Sequence, residues 1–483
     1  MKKILLLLLL GATFVACDSF LDEAPEKSSN KTLETADELD KLFNGVSYSY
    51  YSDPDFFCTD NFEIPLEVFD ELPNTFSFNI IEQYLFNTRI ENANDFAWNG
   101  RYRTVWLCNY AIKVLNENSI TGSEELKKQL KAEAHFLRAT EYFALALNYC
   151  LHPSEANANE PGLPIRTATD FEENLTRASL ADTYSFIEAD LQEALKIDVD
   201  LEHNWRASTA AVEAFAARYY LYMGQFDKAA QYAASALSVH SDMIDYDAEF
   251  YTVEDASGIA YPMTNTYYPF RDAWLKFWKG QYMNRSLSNP HWKSLPSQEL
   301  LDLYDPQDKR YEMFMVENYL LRYGFVENQY VGYIQGGNFG EYIAGASTSE
   351  MYLINAETKA RKGDIAGAMA DVEAVRINRF AAADYAPLAL PANKKDAIQT
   401  VIDERRREMP FTIRWYDIRR INVDPEVDNI TIRRKFYPLD GNQVNLEAAP
   451  IDYVIEPGSR LYARPLNEAV VNLSNGQTKQ NDY

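Results

Sequence analysis

With 483 residues, 47% of them apolar, the chain has enough material to bury a sizeable core, and disorder is excluded as its default state. Lys and Arg number 46 against 72 Asp and Glu, a net charge of −26 at pH 7, so nucleic-acid phosphate is repelled and no nucleic-acid partner is expected. Only 19 Gly and 20 Pro rule out collagenous and low-complexity classes, while 33 Tyr supply much amphipathic ring surface.

The chain opens on Met1, Lys2 and Lys3, followed by an apolar run over residues 4–16 that ends in Phe14-Val15-Ala16-Cys17, the layout of an export signal. The run is too short to span a bilayer, which takes about 20 residues of helix. The four residues ending at Cys17 resemble a bacterial lipobox, with Phe14 where Leu is usual. Residues 1–16 therefore read as a signal peptide and Cys17 as the acylated first residue of the mature chain; a plain secretory signal with a coincidental Cys is the alternative. Each buried methylene contributes about 0.8 kcal/mol to anchoring, so several acyl chains hold a protein stably where one does not. Residues 17–30 then form the lipidated start and a polar tether. Cys58, Cys108 and Cys150 are odd in number and fit no metal or redox spacing, so they read as small buried apolar residues.

Further along, amphipathic helices carry their own start signals. Thr121 and Glu124 stand at capping-box spacing before a stripe of Leu126, Leu130, Ala134 and Leu137. Ser179 and Asp182 repeat the signal before Leu180, Tyr184, Ile187, Leu191 and Leu195. Ser208 precedes Val212, Phe215, Ala216, Tyr219 and Met223. Short polar turns between these segments predict antiparallel helical hairpins. Ala217, Tyr220, Gly224, Phe226, Ala229, Ala233 and Ala236 are spaced as in a tetratricopeptide repeat, and Ala356, Gly363, Ile365, Ala368, Val372 and Val375 fall in the same register. The helical repeats are expected over about 95–237 and 349–420, with an irregular insertion over about 238–348 between them.

That insertion is rich in rings. Trp274 and Trp278 stand four apart, with Tyr282 and Trp292 following, and loops on a rigid scaffold are where binding residues concentrate. A sugar ring has apolar C–H faces and polar edges, so Trp274, Trp278, Tyr282 and Trp292 are the candidates for an aromatic platform. The same spacing also describes a core stripe, and the residues alone leave both readings open. Trp98 and Trp106, in a helix-like segment, read as packing residues.

Several ordered motifs resemble the SusD/RagB family of outer-membrane nutrient-binding lipoproteins over nearly the whole mature chain. They start with Cys17-Asp18-Ser19-Phe20-Leu21-Asp22 and continue through residues 98–109 and 133–139 (WNGRYRTVWLCN and EAHFLRA). Near the end come Glu404-Arg405-Arg406-Arg407-Glu408, then Arg414-Trp415-Tyr416-Asp417-Ile418-Arg419-Arg420, and finally Pro465, Glu468, Asn472 and Gln480-Asn481-Asp482-Tyr483. Thr412-Ile413 and the terminal Gln-Asn-Asp-Tyr depart from the family's usual residues, in places that bear on local geometry. The resemblance implies a mainly α fold, one SusD-like body over 31–483 in which tetratricopeptide-like hairpins are the scaffold and the insertion holds ligand. It also implies a lipid-anchored outer-membrane protein facing the cell exterior. Such a protein captures an oligo- or polysaccharide and passes it to a TonB-dependent, SusC-like transporter.

The chemical motifs add little to this. The five histidines show no paired metal spacing, and neither a G-x-S-x-G elbow nor a phosphate loop is present, so no catalytic residue, metal or cofactor is expected. The acid-rich loop 53–63 lacks an EF-hand pattern and reads as solvated. The charge-alternating segment 403–420 reads as a solvated helix with Asp403 facing Arg407. Two other functions stay open on the residues: a tetratricopeptide-like module that holds a protein, and a surface glycosidase.

Overall fold

The computed structural model describes residues 33–46, 55–90, 96–170, 175–254, 260–264, 280–288, 295–320, 330–334 and 341–483. Ten helices of eight or more residues lie among them. They are α1 (Ala36–Val46), α2 (Phe96–Asn116), α3 (Glu124–Tyr149), α4 (Leu180–Ala194) and α5 (Thr209–Tyr222), then α6 (Phe226–Val239), α7 (Thr348–Arg361), α8 (Ile365–Arg376), α9 (Lys394–Glu408) and α10 (Arg414–Ile421). Among the described residues, strands pair only two at a time. The longer pairs are antiparallel: β1 (Phe250–Glu254) with β2 (Ala260–Thr264), β3 (Ser286–Ser288) with β4 (Glu341–Ile343), and β5 (Ile432–Phe436) with β6 (Ile451–Ile455).

Side-chain caps start the helices. Ser179 and Ser208 each accept a hydrogen bond from the backbone N–H three residues on, as their spacing predicts. The cap of α3 is Ser123, which accepts from the Leu126 N–H, and not Thr121. Thr121 is committed elsewhere: its backbone carbonyl accepts from Ala36 N at 2.7 Å and its N–H donates to the Glu34 carbonyl at 2.9 Å. That bridge holds Thr121 extended, two residues short of the helix. Gly224 and Gly363 close the α5–α6 and α7–α8 turns with φ of +69° and +83°. A Cβ at either would meet nothing within 4 Å, so the backbone angle and not space calls for glycine.

The hairpins α2–α3, α5–α6 and α7–α8 pack as antiparallel pairs, α4 lies on α3, and α9 lies on α7. The two repeat-like segments, far apart in sequence, stack directly because α6 packs on α7. Ala229, Ala233 and Ala236 on α6 are buried small residues of the first core. One core runs through α1–α6, and another joins α7, α8 and α9. An aromatic core fills the non-repetitive part, where Phe56 stacks on Phe411 and Tyr342 at 4.6 and 5.4 Å between centroids. Cys58, Cys108 and Cys150 are reduced and buried.

Two expectations about charge are corrected. The segment 403–420 is ion-paired but buried: Glu404, Arg405, Glu408, Arg414, Asp417, Arg419 and Arg420 are all shielded from water. Arg407 bonds Glu404 at 2.7 Å rather than Asp403, whose carboxylate accepts from Gln399. The partners come from distant chain. Arg420 grips Glu357 of α7 with two N–H donors at 2.6 and 2.8 Å, Arg310 reaches Glu404 at 2.7 Å, and Arg379 reaches Glu408 at 2.6 Å. The loop around Asp60 is not solvated either. Phe56, Phe57 and Phe62 anchor it in the aromatic core, and Asp60 pairs with Arg414 at 2.6 Å. Burial alone would raise the Asp60 pKa, but Arg414 and then Arg406 outweigh it and hold the carboxyl at about 2.

Candidate functional site

Of the four rings expected to form a platform, Trp274, Trp278 and Trp292 lie outside the described residues. Tyr282 is described, and it is a core residue: it is 0% exposed and packs with Met283, Ala346 and the helices of the first core. Its N–H donates to the Ala346 carbonyl, its hydroxyl donates to the His240 carbonyl at 2.5 Å, and burial pushes the phenol pKa up. A ring enclosed on all sides has no face for a sugar, which corrects the expectation for Tyr282.

The described residues build a different concave site on α2. A cleft of about 480 Å3, within the range of ordinary small-ligand sites, is lined mainly by apolar groups. Its aromatic side is Trp98, Tyr102 and Trp106, on successive turns of α2. Trp98 is 8% exposed, but Trp106 is 39% exposed and its ring lies parallel to that of Tyr110, 5.8 Å away and 10° tilted. Trp106 is thus a rim residue and not the packing residue its helical setting suggests. The polar residues Asn99 and Arg103 stand seven and three positions before it, so an aromatic ring sits on the outward, polar stripe of an otherwise buried helix.

The opposite walls come from far along the chain. A strap over residues 164–170 is hung from α2 by side chains. Tyr102 Oη donates to the Pro164 carbonyl at 2.9 Å and Trp106 Nε1 to the Thr169 carbonyl at 2.9 Å. Asn109 Nδ2 donates to the carbonyls of Arg166 and Ala168 at 3.0 and 3.2 Å. Asn109 is itself held: its Oδ1 accepts from Arg138 Nη1 at 2.7 Å, and Arg138 is locked onto Asp190 of α4. The last wall is the short helix Glu468–Leu473 and the residues after it, which contribute Val470, Leu473, Ser474 and Thr478. Thr478 Oγ1 donates to the carbonyl of Leu175, which also lines the cleft. The cleft is therefore preformed: bonded wall residues fix its shape.

Two family models match the chain, one described as "Starch-binding associating with outer membrane" over residues 19–221 and one as "SusD family" over residues 277–483. The chain belongs to the SusD/RagB family. Its helical SusD-like fold is seen equally in solved structures. A SusD superfamily protein from Bacteroides thetaiotaomicron shares 18% identity at a TM-score of 0.67, with 93% of this chain and 100% of that one covered. A putative sugar binding protein from Bacteroides vulgatus shares 18% at 0.64, covering 94% and 99%. Surface glycan-binding protein A from Bacteroides uniformis shares 14% at 0.64, covering 92% and 99%. No curated protein matches the chain. In this SusD-family chain α2 and the strap fall in the first matched segment and the short C-terminal wall in the second, so the cleft is assembled from both.

Proposed function

We propose that the protein is a lipid-anchored outer-membrane protein that captures glycan at the cell surface and passes it to a TonB-dependent transporter, without cleaving it. The observation that carries this reading is the preformed cleft, in which exposed ring surface on Trp106 stands beside polar Asn99 and Arg103. An apolar ring face with hydrogen-bonding groups at its edge is the chemistry a pyranose needs. Family membership supports it, as do the sugar- and glycan-binding descriptions of the structural relatives. Among the described residues no helix is long and apolar enough to cross a membrane, and the attachment proposed is acylation of Cys17 at the end of the export-signal pattern. Trp274, Trp278 and Trp292 are proposed as a further platform on the insertion, the region between the helical repeats.

Affinity electrophoresis through gels carrying a panel of polysaccharides tests the capture step. At least one glycan should retard the protein while its own chain length stays unchanged, and Trp106→Ala should weaken the retardation with little change in melting temperature. Free migration through every gel would overturn capture, and shortened polysaccharide would replace it with hydrolysis. Mass spectrometry of the mature protein tests the anchor: the first residue should be an acylated Cys17, and an unmodified Cys17 would remove that part of the proposal.

A further inference from the structure

We propose that the α2 cleft is selective for a sugar unit bearing a carboxylate, a uronic acid, and that Arg103 is the residue that reads the charge. The inference rests on the glycan-binding reading above. Most polar groups around the cleft are already spent on its walls: the donors of Asn109, Tyr102 Oη, Trp106 Nε1 and Thr478 Oγ1 all hold backbone carbonyls. Arg103 and Asn99 are different. Both line the cleft, both are exposed, and among the described residues neither side chain enters an ion pair or a hydrogen bond.

An uncommitted arginine stands out in this chain. Acidic residues outnumber basic ones, and many guanidiniums are matched to carboxylates, as in Arg138 with Asp190, Arg218 with Glu350, Arg310 with Asp308 and Arg460 with Glu160, or to backbone carbonyls, as in Arg177 and Arg434; exposed Arg433 on β5 shares the free state of Arg103 but lies outside the cleft lining. Arg103 lies four residues after Asn99 and three before Trp106, so one helical face presents an amide, a guanidinium and an exposed ring at successive turns. The planar two-donor fork of arginine matches a carboxylate better than a single hydroxyl. The Trp106 face takes the C–H side of the pyranose, and the Asn99 amide can give and accept a hydroxyl hydrogen bond. The cleft also holds Arg166 and Asp170, and both belong to the strap, whereas Arg103 comes from the helix. The anion is therefore assigned to the guanidinium that α2 presents. The chain's net charge of −26 does not forbid this, because charges beyond about 8 Å are largely screened at physiological salt while a contact pair is not.

Titration calorimetry on the full chain decides the matter, using trisaccharides of galacturonic acid and of glucuronic acid, each against its neutral galactose or glucose counterpart. At least one acidic trisaccharide should bind tenfold or more tighter than its neutral partner. Arg103→Gln should abolish that preference, Arg103→Lys should keep part of it, and Trp106→Ala should weaken both forms. Because Arg103 is exposed and its side chain makes no hydrogen bond or ion pair among the described residues, the Gln variant should melt with the parent. Equal binding of acidic and neutral trisaccharides by the parent, or a preference that survives Arg103→Gln, overturns the assignment. Retardation by a neutral polysaccharide together with no acidic preference would sink this inference and leave glycan capture standing. No binding of any trisaccharide or polysaccharide would sink both.

Discussion

Replacing Glu357 by alanine should cost about 3 to 5 kcal/mol of folding free energy, the usual loss when one member of a buried ion pair is removed. Glu357 is 0% exposed and accepts two hydrogen bonds from Arg420 and two from Arg361, at 2.6 to 3.0 Å. Without it both guanidiniums stay buried with less to hold them, although Arg420 keeps Asp417 and Arg361 keeps Asp424. Urea unfolding should show the loss, while Lys395→Ala, at the exposed pair with Asp428, should change stability by about 1 kcal/mol or less. The same carboxyl predicts a pH dependence. Burial would raise its pKa, but Arg420 and then Arg361 prevail and hold it at about 2, against 4.5 for an ordinary glutamate. Its stabilising contribution is therefore full above pH 4.5 and is lost as the pH falls toward 2, with Glu404 following the same course. The alanine variant should lose less than the parent over that window, and equal losses would show that the network does not govern acid unfolding.

A loss of similar size, about 3 to 5 kcal/mol, is expected for Tyr282→Ala, which empties an aromatic site in the first core. Tyr282→Phe keeps the ring and gives up only the hydrogen bond to the His240 carbonyl, so it should cost about 1 kcal/mol. At temperatures where the Phe variant is folded it should hold glycan as the parent does. A Tyr282→Ala protein that melts with the parent, measured calorimetrically, would contradict the burial of this ring. If the Phe variant remained folded and lost glycan binding, the tyrosine hydroxyl would instead be part of a ligand site.

What could be read from the linear sequence was what local spacing determines. The stripes of α3 and α4 and the caps Ser179 and Ser208 depend on residues within one helix, and the structure has them as read, whereas α5, read as one apolar face, is buried nearly all round. Thr121 failed as a cap because its backbone is claimed by residues 34–36, a contact that capping statistics cannot see. The Arg-rich segment failed in the same way. Alternating charge looks alike on a solvated face and in a buried network, and the partners Glu357 and Arg310 lie about 60 and 90 residues away. The cleft was illegible as a site because its three walls come from α2, residues 164–170 and the short helix Glu468–Leu473. Only Trp106 offered a local sign, an aromatic ring in register with Asn99 and Arg103 on the polar side of a helix.

The reduced cysteines make the molecule its own opening gauge. An alkylating reagent needs both access and a thiolate, and the fold denies both: Cys108 and Cys150 are enclosed, and burial pushes their thiol pKa values up. Labelling of the native protein must then wait for local unfolding, and its rate measures how often each neighbourhood comes apart. Cys108 is a buried residue of α2, the helix that carries the cleft's rings, Cys150 ends α3, and Cys58 belongs to the small cluster around Trp415. Labelling kinetics resolved by site would thus separate breathing of the cleft's supporting helices from breathing of the arginine-rich half, in the unmutated chain and without an added probe.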